Sequence, residues 1–138
     1  LSNPCNPTGQ LIRDAALKAY LTLSRKHKCT LILDEFYSHF IYGEGGEVAD
    51  GPVSAAEYVR NVEKDRVLLV DGLTKSFRYP GWRVGWVVGP REMIETLGRA
   101  ASAIDGLEVW HAAAIAGLSG AVTVLTTFAR TRLGQLES

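Results

Sequence analysis

A lysine and an arginine, eight residues apart, are the residues of this chain best placed for chemistry. Lys75 follows a strongly apolar run, residues 67–70, in a loop interrupted by glycine and proline, and Arg83 lies at the far end of that loop. A lysine amine condenses with an aldehyde and releases water, whereas a guanidinium group binds phosphate oxygens through paired hydrogen bonds. Pyridoxal phosphate carries both groups, so the pair suggests a lysine that holds this cofactor.

Other polar residues are expected near Lys75 if the apolar runs are strands. Asp34 ends an earlier apolar run, Tyr37 follows it three residues later, and Asn6 stands in a loop that precedes the first predicted helix. In open α/β sheets, ligands bind beyond the carboxyl ends of the strands. We therefore expect Asn6, Asp34, Tyr37, Lys75 and Arg83 to meet at one edge of a sheet.

The composition is that of one modest globular domain. The chain has 138 residues, a formal net charge of zero and 46% apolar residues, which argues against disorder and against nucleic acid or a membrane as partner. Cys5 and Cys29 form no close pair, so reduced thiols in a cytoplasmic protein are expected. His27, His39 and His111 lack metal-ligand spacing, so no metal site is predicted and all three are interpreted as structural or solvated.

The spacing of apolar residues predicts the helices and strands that must position these residues. Apolar residues at helical spacing predict helices over residues 11–27 and 90–103. A capping box, with Ser54 as N-cap and Glu57 as its partner, predicts one or two helical turns over residues 54–59. Short apolar runs predict strands over residues 29–33, 66–70 and 84–88. Strands that alternate with helices indicate an α/β fold.

The connection between the second and third predicted strands decides how they pair. Residues 71–82 are too few for the helical crossover that a parallel pair requires. The third strand should therefore return antiparallel to the second. The resulting prediction is an α/β domain whose sheet is mostly parallel with one antiparallel strand, and helices packed on it.

The pattern divides the chain into two parts. Residues 1–106 carry the alternating strands and helices, whereas residues 107–138 are apolar with scattered glycines, which predicts an interrupted helical segment. The chain begins in a loop rich in asparagine and proline and ends without a clear stop signal. We therefore expect a fragment or truncated form of a larger protein.

Three motifs follow one another along the chain: Asn6-Pro-Thr-Gly9, Asp34-x-x-Tyr37 and Lys75-x7-Arg83-Val-Gly85. In this order and at these separations they resemble the three signatures of the fold-type I pyridoxal-phosphate enzymes, specifically the class I/II aminotransferases. The resemblance covers about residues 1–104. It implies that residues 1–106 are part of the large, cofactor-binding domain of such an enzyme, and it leaves the relation of residues 107–138 to the family open.

The resemblance implies a role for each motif residue. Lys75 forms an internal aldimine with the cofactor, then moves a proton between the substrate α-carbon and the cofactor. Asp34 faces the pyridine nitrogen, where a carboxylate favours the protonated ring, and Asn6 and Tyr37 hydrogen-bond the 3-oxygen. Arg83 binds the phosphate.

The chain departs from the family pattern at one position. The family commonly carries a hydroxyl residue three positions before the lysine, in contact with the phosphate, and Gly72 stands there in this chain. Thr74, directly before the lysine, keeps a hydroxyl and is the residue predicted to bind the phosphate, although backbone N–H groups can also supply this contact. Asn3-Pro4 begins like the first motif but lacks its Thr-Gly, so Asn3 is interpreted as a turn residue.

Each candidate residue also has a structural interpretation. Lys75 can be a solvated loop lysine, and Asp34 can cap a turn or pair with Arg83. Tyr37 can be a residue at the edge of the core, and Asn6 can close its own turn.

The function implied by the resemblance is transfer of an amino group between an amino acid and a 2-oxo acid, by a protein that forms a homodimer when whole. Two other functions remain open at this point. The first is a lyase of the same family, such as an aminocyclopropane-carboxylate synthase, because the cofactor half of the site is the same. The second is a module that binds pyridoxal phosphate without turnover, as a sensor in a transcription regulator. A lesser third possibility is an inactive fragment that keeps the motifs but not the binding.

Overall fold

The computed structural model describes residues 1–43, 45–47, 51–82, 84–105, 109–112 and 121–126. Its helices are α1 (Asp14–His27) and α2 (Arg91–Asp105). Its strands are β1 (Leu31–Asp34), β2 (Val67–Gly72), β3 (Val84–Gly89), β4 (Val109–Ala112) and β5 (Ala121–Thr126). Two short 3₁₀ helices cover Ala55–Tyr58 and Pro80–Trp82.

The described strands form one sheet in the order β1-β2-β3-β5-β4. β1 pairs with β2 in parallel, with Leu31 opposite Val67 and Asp34 opposite Val70. β3 returns antiparallel to β2, as the short connection predicts, and the β3–β5 and β4–β5 pairs are also antiparallel. The α/β class is confirmed. The described sheet holds one parallel pair, however, so it is less parallel than the sequence pattern suggested.

The predicted helical segment in residues 107–138 is wrong where the structure describes it. Val109–Ala112 and Ala121–Thr126 are strands. The second of these is rich in valine and threonine, whose branched side chains favour strands. Pairing with β3 also supplies hydrogen-bond partners for a strand edge that would otherwise be open. The rest of the predicted segment lies outside the described residues, and the division of the chain at residue 106 stays a prediction.

Helices cover both faces of the sheet. On one face α1 packs on β1 and β2 through a buried cluster of Leu17, Leu21, Leu33, Ala55 and Val67. On the other face α2 packs on β2 and β3 through Leu68, Val87 and Ile94. Successive residues of a strand face opposite sides of a sheet, which is why β2 is apolar at consecutive positions. No helix in the described part of the chain is long and apolar enough to cross a membrane.

An ion pair ties the end of α1 to the loop before β2. The Arg25 guanidinium donates from Nε to one oxygen of Asp65 at 2.8 Å and from a terminal nitrogen to the other at 2.8 Å. The buried Asp65 carboxylate also accepts the backbone N–H groups of Arg60 and Asn61. The hydrogen bonds from Arg25, aided by these backbone groups, lower the pKa of Asp65 from 3.8 to about 2.

A pair of glycines fits β2 closely against β3. Gly72 lies opposite Gly85 in the register. A Cβ atom on Gly72 would lie 2.7 Å from the Val84 carbonyl oxygen, 2.8 Å from the Phe36 ring and 2.9 Å from the Gly85 Cα. The ring of Phe36 therefore occupies the space that a side chain at position 72 would need. This packing gives a physical reason for the missing hydroxyl at that position.

Substituting Gly72 should destabilise the protein through this clash. We expect Gly72→Ala to lower the free energy of unfolding by about 1–3 kcal/mol, because two of the three close atoms belong to backbone that cannot move freely. Gly81→Ala is the matched control, since a Cβ there meets nothing within 4 Å. Urea unfolding of the two variants measures the difference, and equal stability would contradict the proposed packing.

Substituting Asp65 should weaken the protein at neutral pH and change its response to acid. Because folding lowers the Asp65 pKa, the ionised carboxylate stabilises the folded state above its unfolded pKa of 3.8, and this contribution is lost as pH falls towards about 2. We expect Asp65→Asn to lower the free energy of unfolding at pH 7 by about 2 kcal/mol.

The difference from wild type should shrink as pH falls through this window, as measured by urea unfolding at several pH values. Glu95→Gln, at an exposed position of α2, serves as control and should change stability by less than about 0.5 kcal/mol. A stability difference for Asp65→Asn that stays constant from neutral pH to acid would contradict the assignment.

Candidate functional site

The carboxyl ends of β1 and β2 meet at one edge of the sheet. The Glu35 N–H donates to the Val70 carbonyl at 2.8 Å, which continues the parallel pairing past Asp34. On its other side, the Asp34 carbonyl accepts the Asn3 N–H at 2.9 Å. The Asp34 side chain is exposed, and its Oδ1 accepts the Phe36 N–H at 3.2 Å. The backbone of Asp34 is thus held on both sides while its carboxylate faces solvent.

Lys75, Tyr37 and Asn6 come together at this edge. The Lys75 Nζ lies 5.3 Å from the centre of the Tyr37 ring, within the range of a cation–π contact. The Asn6 amide lies 3.5 Å from the Tyr37 hydroxyl, which is a long hydrogen bond between exposed groups. Three segments that are distant in sequence therefore contribute side chains to one place.

The remaining predicted site residues are Asp34, Thr74 and Arg83. In the described part of the chain the Asp34 side chain makes no hydrogen bond with Lys75, Tyr37 or Asn6, although it stands three residues before Tyr37. Thr74 is half-buried beside the lysine. Arg83 lies outside the described residues, so its predicted role, and its alternative pairing with Asp34, stay predictions.

Backbone hydrogen bonds fold the lysine loop back on itself. The Leu73 N–H donates to the Val84 carbonyl at 3.0 Å, and the Tyr79 N–H returns to the Leu73 carbonyl at 3.0 Å. Within this turn the Arg78 N–H donates to the Lys75 carbonyl at 3.1 Å, and Arg78 adopts a left-handed backbone conformation with φ 59°. These bonds give Lys75 a defined backbone position, whereas its side chain is exposed.

The loop that carries Asn6 is closed by Asn3. The buried Asn3 side chain donates to the Ile12 carbonyl at 2.8 Å and accepts the Ile12 N–H at 2.8 Å. Within the loop the Gly9 N–H donates to the Cys5 carbonyl at 2.7 Å. The interpretation of Asn3 as a turn residue is confirmed, and the two similar Asn-Pro steps have different surroundings, one buried and one exposed.

Two acidic residues behind the site were not singled out from the sequence. Glu35 is buried, accepting the Ser54 hydroxyl at 2.6 Å and the Ala55 N–H at 2.8 Å, and burial raises its pKa. Asp71 is half-buried, and burial raises its pKa against the opposing effects of the Gly72 N–H and of His39. Glu35 follows Asp34 directly, and Asp71 stands four residues before Lys75. Nothing in the sequence distinguishes a buried carboxylate at these positions from an exposed one.

Glu35 supports the start of the 3₁₀ helix Ala55–Tyr58. Ser54 does cap the 3₁₀ helix Ala55–Tyr58, because its hydroxyl oxygen accepts the Ala56 N–H at 3.1 Å. The predicted capping-box partner Glu57 is exposed and makes no such bond, so that part of the prediction is wrong. The buried Glu35 carboxylate reaches Ser54 and Ala55 from across the fold, and a contact over this sequence distance has no local signal.

A cavity of about 420 Å³ adjoins Asn6 and Tyr37. One wall is the Asn6 loop and the other is the segment that follows β1. Its lining is largely apolar and aromatic: Pro4, Cys5, Asn6, Pro7, Gly9, Leu11, Tyr37, Phe40, Ile41 and Tyr42. The Tyr37 ring thus has Lys75 near it and also borders a space large enough for a small organic molecule.

The sequence and the fold both match known aminotransferases. The family described as aminotransferase class I and II matches residues 1–136, which extends past the last motif. An aspartate/prephenate aminotransferase of Thermus thermophilus is 32% identical over 102 residues, covering 74% of this chain and 24% of that protein. An aspartate aminotransferase of Pyrococcus abyssi is 31% identical over 97 residues, covering 70% of this chain and 23% of that protein.

Solved structures agree with this result. Aspartate aminotransferase from Thermus thermophilus with maleate superposes with a TM-score of 0.62 at 30% identity, covering 75% of this chain and 25% of that one. Aromatic aminotransferase from Pyrococcus horikoshii OT3 gives a TM-score of 0.62 at 32% identity, with 75% and 26% covered. The chain spans about a quarter of the length of the curated relatives it matches.

The two asparagines of the first loop should respond differently to substitution. Asn3→Ala leaves the partly buried N–H and carbonyl of Ile12 without their Asn3 partner and should lower the free energy of unfolding by about 2 kcal/mol. Asn6→Ala removes one long, exposed hydrogen bond and should change it by less than about 0.5 kcal/mol. Urea unfolding compares them, and a larger loss for Asn6→Ala would contradict the described loop.

Proposed function

Because this chain belongs to the aminotransferase class I and II family, we propose that the whole protein transfers an amino group between an amino acid and a 2-oxo acid with pyridoxal phosphate. One observation carries the proposal beyond membership of the family. The amine of Lys75 lies over the ring of Tyr37, whose hydroxyl contacts Asn6, at the sheet edge where Asp34 ends β1. Three separate motifs therefore contribute to one small region.

The side chains at this edge suit the cofactor chemically. Lys75, Asp34 and Asn6 are exposed and Tyr37 is half-buried, and no salt bridge engages the amine or the carboxylate within the described residues. An amine, a carboxylate, an amide and a phenol are thus available at one edge. When bound, pyridoxal phosphate supplies a reactive aldehyde and a ring that withdraws electrons from the substrate carbon. Thr74 and Arg83 are the proposed phosphate ligands, on the ground of the motif.

Lys75 is proposed to hold the cofactor covalently and then to act as acid and base. Its Nζ would take the proton from the substrate α-carbon and pass it to the cofactor. The backbone bonds around Lys75 keep the start of this side chain fixed, and the exposed Nζ can swing towards a substrate. A flexible chain on a fixed base suits a group that must bind in one step and move a proton in the next.

Asp34, Asn6 and Tyr37 are proposed to orient the cofactor and set its charge. The Asp34 carboxylate would hold a proton on the ring nitrogen, because an anion nearby favours the cationic form. The Asn6 amide and the Tyr37 hydroxyl would donate hydrogen bonds to the 3-oxygen. The fixed backbone on both sides of Asp34 supports such a role, since an electrostatic partner works best when it need not rearrange.

The location and assembly of the whole protein stay part of the proposal. A cytoplasmic homodimer is what the family resemblance and the composition favour. The names of the relatives, aspartate and aspartate/prephenate aminotransferase, suggest dicarboxylic amino acids as the first substrates to assay.

Covalent trapping tests the role of Lys75. The whole protein mixed with pyridoxal phosphate and reduced with borohydride should carry the cofactor on Lys75, located by peptide mass spectrometry. Lys75→Ala should lose this label, and its transfer activity should fall by about 10²–10⁴-fold, since its general acid–base group is gone. The control is Lys64→Ala at an exposed lysine before β2, which should label and react like wild type.

Equal labelling of Lys75→Ala and wild type would contradict the assignment. The reaction class has its own test, because transfer requires a 2-oxo acid as acceptor. Release of ammonia from an amino donor without any added 2-oxo acid would contradict amino transfer and indicate a lyase.

A further inference from the structure

The segment after β1 contacts the lysine loop at two places. Tyr37 lies near Lys75, as described above. Two residues further on, the His39 Nδ1 lies 3.0 Å from the Ser76 hydroxyl oxygen. The same nitrogen lies 3.2 Å from the Ser38 hydroxyl oxygen. Neighbouring residues of the lysine loop, 75 and 76, therefore each have a partner in residues 37–39.

The hydrogen bonds around Ser76 are compatible with a hydrogen on the His39 Nδ1, and the roles of the two atoms depend on the imidazole tautomer. The Ser76 hydroxyl lies 3.4 Å from the Phe36 carbonyl oxygen, which can only accept. If the hydroxyl donates to that carbonyl, its oxygen is free to accept, and the His39 Nδ1 must then carry a hydrogen. The two hydrogen bonds then run from the His39 Nδ1–H to the Ser76 oxygen and from the Ser76 hydroxyl to the Phe36 carbonyl. Ser76 is therefore bonded twice to the segment that follows β1.

Ring contacts hold the imidazole from a second side. The His39 ring packs edge-on against Phe77 at a centroid distance of 6.3 Å. Phe77 in turn packs edge-on against Trp86 of β3, also at 6.3 Å. The imidazole thus contacts the two residues that follow Lys75, one by a hydrogen bond and one by its ring. His39 is exposed, and these two contacts hold its imidazole against the lysine loop.

We propose that His39 is a positioning residue for Lys75, whose backbone it holds through Ser76 so that the lysine side chain begins beside the Tyr37 ring. This inference rests on the proposed function, because the position of an amine matters only if that amine reacts. His39 itself touches no reacting atom. Its effect is to keep the lysine loop bonded to the segment that carries Asp34 and Tyr37, so that the groups around the cofactor stay in one arrangement.

Four variants separate this role from simple packing. His39→Leu removes the donor but keeps an apolar side chain beside Phe77. His39→Asn keeps a donor nitrogen at the δ position, where the amide can take the place of Nδ1. Ser76→Ala removes the acceptor, and a double variant combines His39→Leu with Ser76→Ala. His27→Leu, at an exposed histidine that ends α1, is the matched control.

The first measurement uses the whole protein without cofactor. Amide hydrogen exchange at Arg78 and Tyr79, whose N–H groups close the lysine loop, reports how firmly the loop is held. His39→Leu and Ser76→Ala should each speed exchange at these amides by about three- to ten-fold, the effect of one lost hydrogen bond. His39→Asn and His27→Leu should stay within about two-fold of wild type. Nitrogen NMR of His39 should show hydrogen on Nδ1 in wild type.

The second measurement is the rate at which Lys75 captures pyridoxal phosphate, followed by quenching with borohydride. His39→Leu and Ser76→Ala should slow capture by about three- to ten-fold, and His39→Asn should restore it. Because both single changes remove the same bond, the double variant should be no slower than either one. Capture at the wild-type rate in His39→Leu, a failure of His39→Asn to rescue, or additive losses in the double variant would each overturn the proposal.

The two measurements keep this inference separate from the proposed function. A wild-type protein that captures no cofactor would overturn the proposed function and the role of His39 in it. Capture by wild type together with unchanged exchange and unchanged capture in His39→Leu would overturn only the role of His39.

Discussion

The parallel register of β1 and β2 is the constraint on which the candidate site depends. Because the two strands run the same way and end side by side, both connecting segments leave from one edge of the sheet. The bond from the Glu35 N–H to the Val70 carbonyl extends that pairing beyond Asp34. Tyr37 and Lys75 then meet although 38 positions separate them in the sequence. A slip of one residue in this register would turn the side chains of β1 to the opposite face.

Buried polar side chains hold the backbone in place at this edge of the sheet. Asn3 closes the first loop by bonding to both backbone groups of Ile12, and Glu35 holds the start of the 3₁₀ helix Ala55–Tyr58. Each lies within three residues of an exposed candidate site residue, Asn6 or Asp34. In both segments one buried polar side chain anchors the backbone, and a nearby polar side chain stays exposed. A rigid backbone that carries accessible functional groups is what catalysis by positioning requires.

The sequence predicted the parts of this molecule that have a local cause. Helix α1, helix α2 and the first three strands follow from apolar periodicity, and Ser54 caps its helix as its type suggests. Contacts made across the fold have no local sequence signal: Glu35 accepts hydrogen bonds from Ser54 and Ala55, and the Phe36 ring fills the space at Gly72. The apolar pattern predicts helix where Val109–Ala112 and Ala121–Thr126 are strands, because apolar periodicity alone does not show that a segment will pair with the edge of a sheet. The bond between His39 and Ser76 likewise joins positions with no shared sequence pattern.

The most direct test of the central claim is a crystal structure of the whole protein grown with pyridoxal phosphate. Our account predicts continuous electron density between the Lys75 Nζ and the cofactor, with the Asp34 carboxylate beside the ring nitrogen and with Asn6 and Tyr37 beside the 3-oxygen. Cofactor bound at another place, or bound here with the Lys75 side chain turned away from it, would contradict the account.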